Sequence, residues 1–225
     1  AGNWWSTLCK ALKDVAAFTG YSGIAGIGIA YQRETFVMVD SSGNPVRPAI
    51  LWNDQRAARQ INDIEQELGH DAFHRITGKF LDTTPSTVKI KWIADNEPDN
   101  YKKLHKLLDV GSYLHWKLTG KMVSPQAGAD TLGILDISNF HWSDDILKLL
   151  NLKTDNMPEI VPSGTRVGYL TKDAAKLTDL PLGLPVVACG GDGQVSAVGS
   201  CSLDRKNMAL SLGTSIVWGL HSSQH

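Results

Sequence analysis

The chain has 225 residues, 42% hydrophobic and 20% charged, a balance that excludes disorder and leaves enough apolar side chains for a core. Lys and Arg number 22 against 23 Asp and Glu, a formal net charge of −1, so no basic excess points to nucleic acid. No apolar run approaches the ~20 residues that cross a bilayer, and the longest, Ile24 to Ala30, is a strand-length stretch.

The opening reads as a helix. Asn3 is its candidate N-cap, Trp5, Leu8, Leu12, Val15 and Ala16 recur at helical spacing, and Gly20 can end it in a left-handed conformation. Ile24 to Tyr31 and Phe36 to Asp40 read as strands, Ser41-Ser42-Gly43-Asn44 as a turn, and Val46 to Trp52 as a third strand. Asn53 or Asp54 would then cap a helix with Ala57, Ile61, Ile64 and Leu68 on one face and Gly69 as its stop.

The middle of the chain is mostly helical. Ser86 can cap a helix carrying Val88, Trp92 and Ile93, and Tyr101 to Leu108 reads as another. Ser112 can cap a third, with Leu114 and Leu118 inward and Gly120 at its end. Ser143-Asp144-Asp145 starts one more, with its acids where the helix dipole favours them, and Asp173 to Leu177 is a further short one. An α/β pattern returns at Pro185 to Gly190, a buried strand that runs through Gly190-Gly191-Asp192-Gly193 into a small-residue helix, Gln194 to Gly199. Met208 to Leu212, Gly213-Thr214-Ser215 and Ile216 to Leu220 read as strand, tight turn and strand. There is no internal repeat.

Four constellations could carry chemistry. Asp192 ends a buried strand among flexible Gly, where it is either a helix-capping acid or a general base for a substrate hydroxyl. Gly213-Thr214-Ser215 is either a hairpin turn or a phosphate cradle of backbone N–H groups and hydroxyls. Gln32-Arg33-Glu34 follows a strand. It is either an exposed strand end with a local ion pair, or a set of donors and acceptors for neighbouring hydroxyls. In Ile50 to Arg56 the structural reading is favoured, with Asn53-Asp54 as a cap and Arg56 paired to a nearby carboxylate. No P-loop and no G-x-G-x-x-G opening a helix is present, and no pair among the seven His has metal-ligand spacing. Cys9, Cys189 and Cys201 are odd in number, match no metal site and follow no signal peptide. Reduced thiols and a cytoplasmic setting are therefore expected.

In this order and spacing, these segments resemble the FGGY carbohydrate kinases, which phosphorylate sugars and polyols with ATP. The resemblance runs from about Trp4 to about Leu220. It rests on Gly26-Ile27-Gly28-Ile29, Gln32-Arg33-Glu34, Pro48 to Arg56, Thr84-Pro85-Ser86 with Lys91-Trp92, Gly190 to Gly193, and Leu212-Gly213-Thr214. It implies two α/β domains of the ribonuclease H type, as in hexokinase and actin, with ATP and sugar meeting between them. It implies Asp192 as catalytic base, Gln32, Arg33 and Glu34 with Asp192 as substrate contacts, and Gly213, Thr214 and Ser215 as phosphate contacts. Mg2+ would arrive with the nucleotide, and no protein-held metal is expected.

Family members also carry an upstream Asp-x-Gly-Thr phosphate motif and an adenine pocket in the second domain, and this chain shows neither. Residues 1–202 are thus expected to be an N-terminally truncated, sugar-binding first domain, and 203–225 the opening hairpin of the ATP-binding second. Such a piece would be inactive alone, and its open strand edge would favour association, with a homodimer as the candidate state. Trp52 to Arg56, Thr84 to Ser86 and Asp192 to Gln194 look most like xylulokinases, whereas Gln32 to Thr35 is similar to glycerol kinases. A ketopentose such as xylulose is the favoured acceptor, glycerol or another polyol the second, and a non-catalytic binding or assembly module the reading from a different class.

Overall fold

The computed structural model describes residues 1–200, 206–212, 216–220 and 222. From the N-terminus come α1 (Gly2–Thr19), β1 (Ile27–Tyr31), β2 (Phe36–Val39), α2 (Ala58–Glu67), α3 (His70–Thr77), α4 (Ser86–Asn96), α5 (Pro98–Tyr101) and β3 (Lys106–Asp109). They are followed by α6 (Val110–Thr119), β4 (Val123–Pro125), α7 (Gln126–Ala129), β5 (Leu135–Asp136), β6 (His141–Trp142), α8 (Asp144–Leu149) and β7 (Glu159–Val161). The last are β8 (Arg166–Tyr169), α9 (Lys172–Thr178), β9 (Pro185–Gly191), α10 (Asp192–Gly199), β10 (Met208–Leu212) and β11 (Ile216–Leu220).

The arrangement that positions the site is the sheet β1-β9-β8, in which β1 and β9 run parallel. β1 alternates buried and exposed residues, the period-2 pattern of a strand with one covered face. β2, by contrast, is buried on both faces. Its side chains go alternately to two cores. Phe36 and Met38 join the helices through Ile64 of α2, Phe73 of α3 and Val88, Ile90 and Ile93 of α4. Val37 and Val39 join Ile27 and Ile29 of β1, Leu114 and Leu118 of α6 and Val186 of β9. The antiparallel partner β3 divides in the same way, Leu107 to the first core and Leu108 to the second. This pair of strands is therefore a wall between two cores, and each such side chain contributes about 1.5–3 kcal/mol by burial.

Several boundaries differ from the sequence expectations. The N-cap of α1 is Ala1 rather than Asn3, and Gly20 ends the helix at φ 76°, ψ 146°, positive in φ but outside the left-handed helical basin. Val46 to Trp52 forms no strand; it meets β2 through the Val46 N–H, which donates to the Met38 carbonyl at 3.0 Å, and through an isolated bridge between Ile50 and Phe36. Pro45 and Pro48 have no N–H to give a ladder. Neither Asn53 nor Asp54 caps α2, whose N-cap is Ala57. The carboxylate of Asp54 is taken by the Arg56 backbone N–H and guanidinium. Tyr101 to Leu108 is not a helix. α5 ends at Tyr101, and Lys106–Asp109 is β3, because a short apolar run suits a buried strand as well as a helix.

The cap of α6 is Asp109, not Ser112. Asp109 Oδ1 accepts the Ser112 N–H at 2.6 Å and Oδ2 accepts the Ser124 hydroxyl at 2.6 Å. Burial pushes this carboxyl up, opposed by those hydrogen bonds. Ser143 does cap α8, with Asp144 and Asp145 in the first turn, and Gly120 ends α6 in the left-handed conformation. Cys9 and Cys189 are free thiols, and Cys201 lies outside the described residues. Among the described residues no helix is long and apolar enough to cross a membrane.

Candidate active site

Parallel pairing of β1 with β9 sets Tyr31 opposite Gly191. The residues that follow the two strands therefore emerge side by side at their carboxyl ends, where open α/β sheets bind ligands. After β1 come Gln32, Arg33 and Glu34, and after β9 comes Asp192. Segments about 160 residues apart in sequence are neighbours here through strand register alone.

The turn after β1 is tightly held. Thr35 is buried, and its hydroxyl oxygen accepts from Gln32 Nε2 at 2.7 Å and from the Trp52 N–H at 3.1 Å. Glu34 has φ 50°, a left-handed conformation that costs a non-glycine residue about 1–2 kcal/mol. Its half-buried carboxyl is pushed up by burial, with Arg33 and Lys79 opposing the shift. Lys89, fully buried on α4, donates to the Trp52 and Thr84 carbonyls and so ties two loops to the same place. Burial lowers its ammonium to about 8, against the pull of Glu34, Asp54 and Asp82.

Arg33 is 3.6 Å from Glu34 and reaches Asp130, where Nη2 lies 3.0 Å from Oδ2. Lys79 Nζ is 2.7 Å from the same oxygen, and Gln194 Nε2 is 3.4 Å from Oδ1. The missing side chain at Gly191 makes room for this. A Cβ there would lie 2.8 Å from Arg33 Cγ and 2.6 Å from Gln194 Oε1. Arg33 Nε and Gln194 Oε1 are buried and have no hydrogen-bond partner among the described residues.

Asp192 is the first residue of α10. It does not cap the helix, whose N-cap is Gly191 with no side-chain hydrogen bond. Its carboxylate is exposed and accepts the N–H of Gly193 at 2.8 Å. Gly213, Thr214 and Ser215 lie outside the described residues, between the paired strands β10 and β11. Sequence reasoning missed Asp130, Lys79 and Lys89 and gave Gln194 no role at the site. The one local hint at Asp130 is an acid inside the small-residue run Gly128-Ala129-Asp130-Thr131, where burial would demand a partner. Among the described residues no cluster of His, Cys, Asp and Glu could hold a metal ion.

Residues 1–199 match the family model described as the N-terminal domain of the FGGY family of carbohydrate kinases. The chain belongs to this family. The xylulose kinase of Klebsiella pneumoniae is 32% identical to it over 215 residues, 96% of this chain and 44% of that protein. The glycerol kinase of Thermococcus kodakarensis is 29% identical over 216 residues, 93% of this chain and 42% of that protein. The solved structure of xylulose kinase from Rhodospirillum rubrum superposes with a TM-score of 0.89 at 26% identity, over 94% of this chain and 44% of that one. The chain thus spans less than half the length of these relatives. The solved sugar kinases that it matches have the actin/hexokinase-type, ribonuclease H-like α/β fold, and it covers roughly their first domain.

Proposed function

We propose that this FGGY chain forms the acceptor side of an enzyme that transfers the γ-phosphoryl group of Mg-ATP to a hydroxyl of a ketopentose such as xylulose. The observation that carries the reading is the β1–β9 register, which sets Gln32, Arg33 and Glu34 beside an exposed Asp192. Guanidinium, carboxylate and amide together can donate to and accept from the adjacent hydroxyls of one polyol. Asp192 takes the proton of the reacting hydroxyl as its oxygen bonds to phosphorus. The bond from that phosphorus to the bridging oxygen of ADP breaks. Phosphoryl transfer depends mostly on position and charge, so the base supplies only part of the acceleration.

Residues 1–202 act as the sugar-binding first domain and 203–225 as the hairpin that opens the nucleotide domain, with Gly213, Thr214 and Ser215 contacting phosphate. The free thiols of Cys9 and Cys189 suit a cytoplasmic setting. Xylulose leads because Trp52 to Arg56, Thr84 to Ser86 and Asp192 to Gln194 look most like xylulokinases. Glycerol is the second reading, supported by Gln32-Arg33-Glu34 and by the glycerol kinase relative. The test is Asp192→Asn in the full-length protein. It should lower kcat by about 10²–10⁴-fold and leave the acceptor KM nearly unchanged. A kcat comparable to wild type would remove Asp192 from the chemistry, and acceptor binding without ATP turnover in the wild type would favour a binding module.

A further inference from the structure

Arg33 and Glu34 are neighbours in sequence, and a guanidinium beside a carboxylate ordinarily closes on it. Arg56 does so with Asp54, through bonds of 2.9 and 2.7 Å that hold the Asp54 carboxyl down at about 2. Arg33 does not. Its Nη2 stands 3.6 Å from Glu34 Oε1, beyond a hydrogen bond, and 3.0 Å from Asp130 Oδ2. Two carboxylates thus compete for one nitrogen, and the one remote in sequence holds it. The Glu34 side chain is 14% exposed and accepts no hydrogen bond among the described residues. Burial pushes its carboxyl up against the pull of Arg33 and Lys79.

Asp130 can hold Arg33 because it stands on a rigid mount, the short 3-10 turn Asp130–Leu132. Ala129 and Leu132 are fully buried in the first core, and the Thr87 hydroxyl of α4 reaches the carbonyls of Leu132 and Gly133 at 3.1 and 2.6 Å. Lys79 Nζ, 2.7 Å from the same Oδ2, and Gln194 Nε2, 3.4 Å from Oδ1, fix the carboxylate from two further segments. Asp130 engages one nitrogen of Arg33 and leaves the buried Nε without a partner among the described residues, so the guanidinium is oriented rather than used up.

We propose that Asp130 is a positioning residue of the acceptor site, which holds Arg33 off Glu34 and so keeps the Glu34 carboxylate open to an acceptor hydroxyl. The proposal rests on the acceptor-site reading above. Without the Asp130 carboxylate, Arg33 Nη2 has only about 0.8 Å to travel before it makes a charge-assisted bond to Glu34. An acceptor must then break that bond to reach Glu34. Binding weakens, and the chemistry at Asp192 is left alone.

The experiment is steady-state kinetics of the full-length protein with xylulose and with glycerol, acceptor and ATP varied separately, beside calorimetric binding of the same two acceptors without nucleotide. Asp130→Ala should raise the KM of the acceptor that wild type uses by about tenfold or more and weaken its binding by the same factor, with kcat and the ATP KM within about twofold of wild type. The deciding variant carries Glu34→Gln as well. A neutral amide does not draw Arg33 in, so in that background Asp130→Ala should change the acceptor KM by less than about threefold. A role confined to holding the fold together would cost the same in both backgrounds. Asp130→Asn keeps the shape, loses the charge and should raise the acceptor KM in the same sense, which keeps the idea testable should Asp130→Ala fold poorly. An equal cost with and without Glu34→Gln would overturn the proposal. So would an acceptor KM that neither Asp130 variant moves, or a loss confined to kcat. Acceptor binding that follows this pattern without phosphorylation would instead sink the catalytic reading and leave this one standing. Binding of neither acceptor by wild type would sink the acceptor site, and the proposal with it.

Discussion

A single methyl group at Gly191 is a sharp probe of the proposed acceptor site. Gly191 has φ −65° and ψ 148°, a backbone conformation open to any residue, so Gly191→Ala acts through space alone. The new Cβ would lie 2.8 Å from Arg33 Cγ, 3.0 Å from Arg33 Cδ and 2.6 Å from Gln194 Oε1. The Gln194 amide is the end of a flexible chain and can swing aside. Arg33 meets the methyl with the middle of its stem and must carry its guanidinium with it. Restoring ordinary contact at 3.4 Å asks for a retreat of about 0.6 Å. Transmitted to the 3.0 Å contact with Asp130, that shift lengthens it to about 3.6 Å, beyond a hydrogen bond. A charge-assisted bond of this kind contributes about 1.5–3 kcal/mol, taken here as about 1–2 because Arg33 is partly solvated. The acceptor KM should then rise about 5–30-fold, with kcat and the ATP KM little changed. Steady-state kinetics with acceptor and ATP varied separately measures this. In an Arg33→Ala background the same methyl should have no further effect, because both changes remove one contact. An acceptor KM that Gly191→Ala leaves at the wild-type value would refute the link between Arg33 placement and acceptor binding.

Glu34 joins a strained backbone to a proposed substrate contact, so Glu34→Gly should raise stability by up to about 1–2 kcal/mol while weakening the acceptor about tenfold or more. A melting temperature that falls, or an acceptor KM that does not move, would count against it. Glu34→Ala should weaken the acceptor similarly without the gain in stability, and should affect ATP much less. Lys89 titrates near 8 in the folded protein against an ordinary 10.5, so between those values the unfolded chain binds more protons and stability climbs with pH, by at most about 3 kcal/mol. Urea unfolding at about pH 7.5 and about pH 9.5 should show a smaller gain for Lys89→Met than for wild type, and equal gains would show that Lys89 is not the cause.

What the sequence made legible was local. The apolar run of β1, the acids that open α8, the glycine that ends α6 and the passage from β9 into α10 all lie within a few residues of their own signals. The errors came where one residue type serves two structures. Leu107 and Leu108 fit a helix spacing, yet they form a strand that feeds two cores. Asp54 is a good cap by type, but Arg56 engages its carboxylate two residues away. α3 was missed altogether, although His70–Thr77 buries Phe73 in the first core. Among the candidate site residues, Gln32, Arg33, Glu34 and Asp192 were visible because each follows an apolar strand. Asp130 was not, because its partners lie 97 and 51 residues away and only the fold brings them together.

The placement of those partners bears on how such a site could work before any ligand arrives. Holding four or five side chains in one geometry costs entropy, and that cost is met during folding if buried contacts fix the loops in advance. Here Thr35 binds the turn after β1 to Trp52, and Lys89 binds Trp52 and Thr84 to the N-terminal part of α4. α4 in turn sends Val88, Ile90 and Ile93 into the first core. Asp130 then fixes Arg33 against Lys79, which follows α3, and α3 reaches the same core through Phe73. The strained turn at Glu34 persists because its neighbours on both sides are held in this way. The rigidity of the proposed acceptor site therefore derives from the helical core on one side and the β1–β9 register on the other. An acceptor meets side chains whose ordering has already been met by folding, so its contacts can go toward orienting the reacting hydroxyl at Asp192.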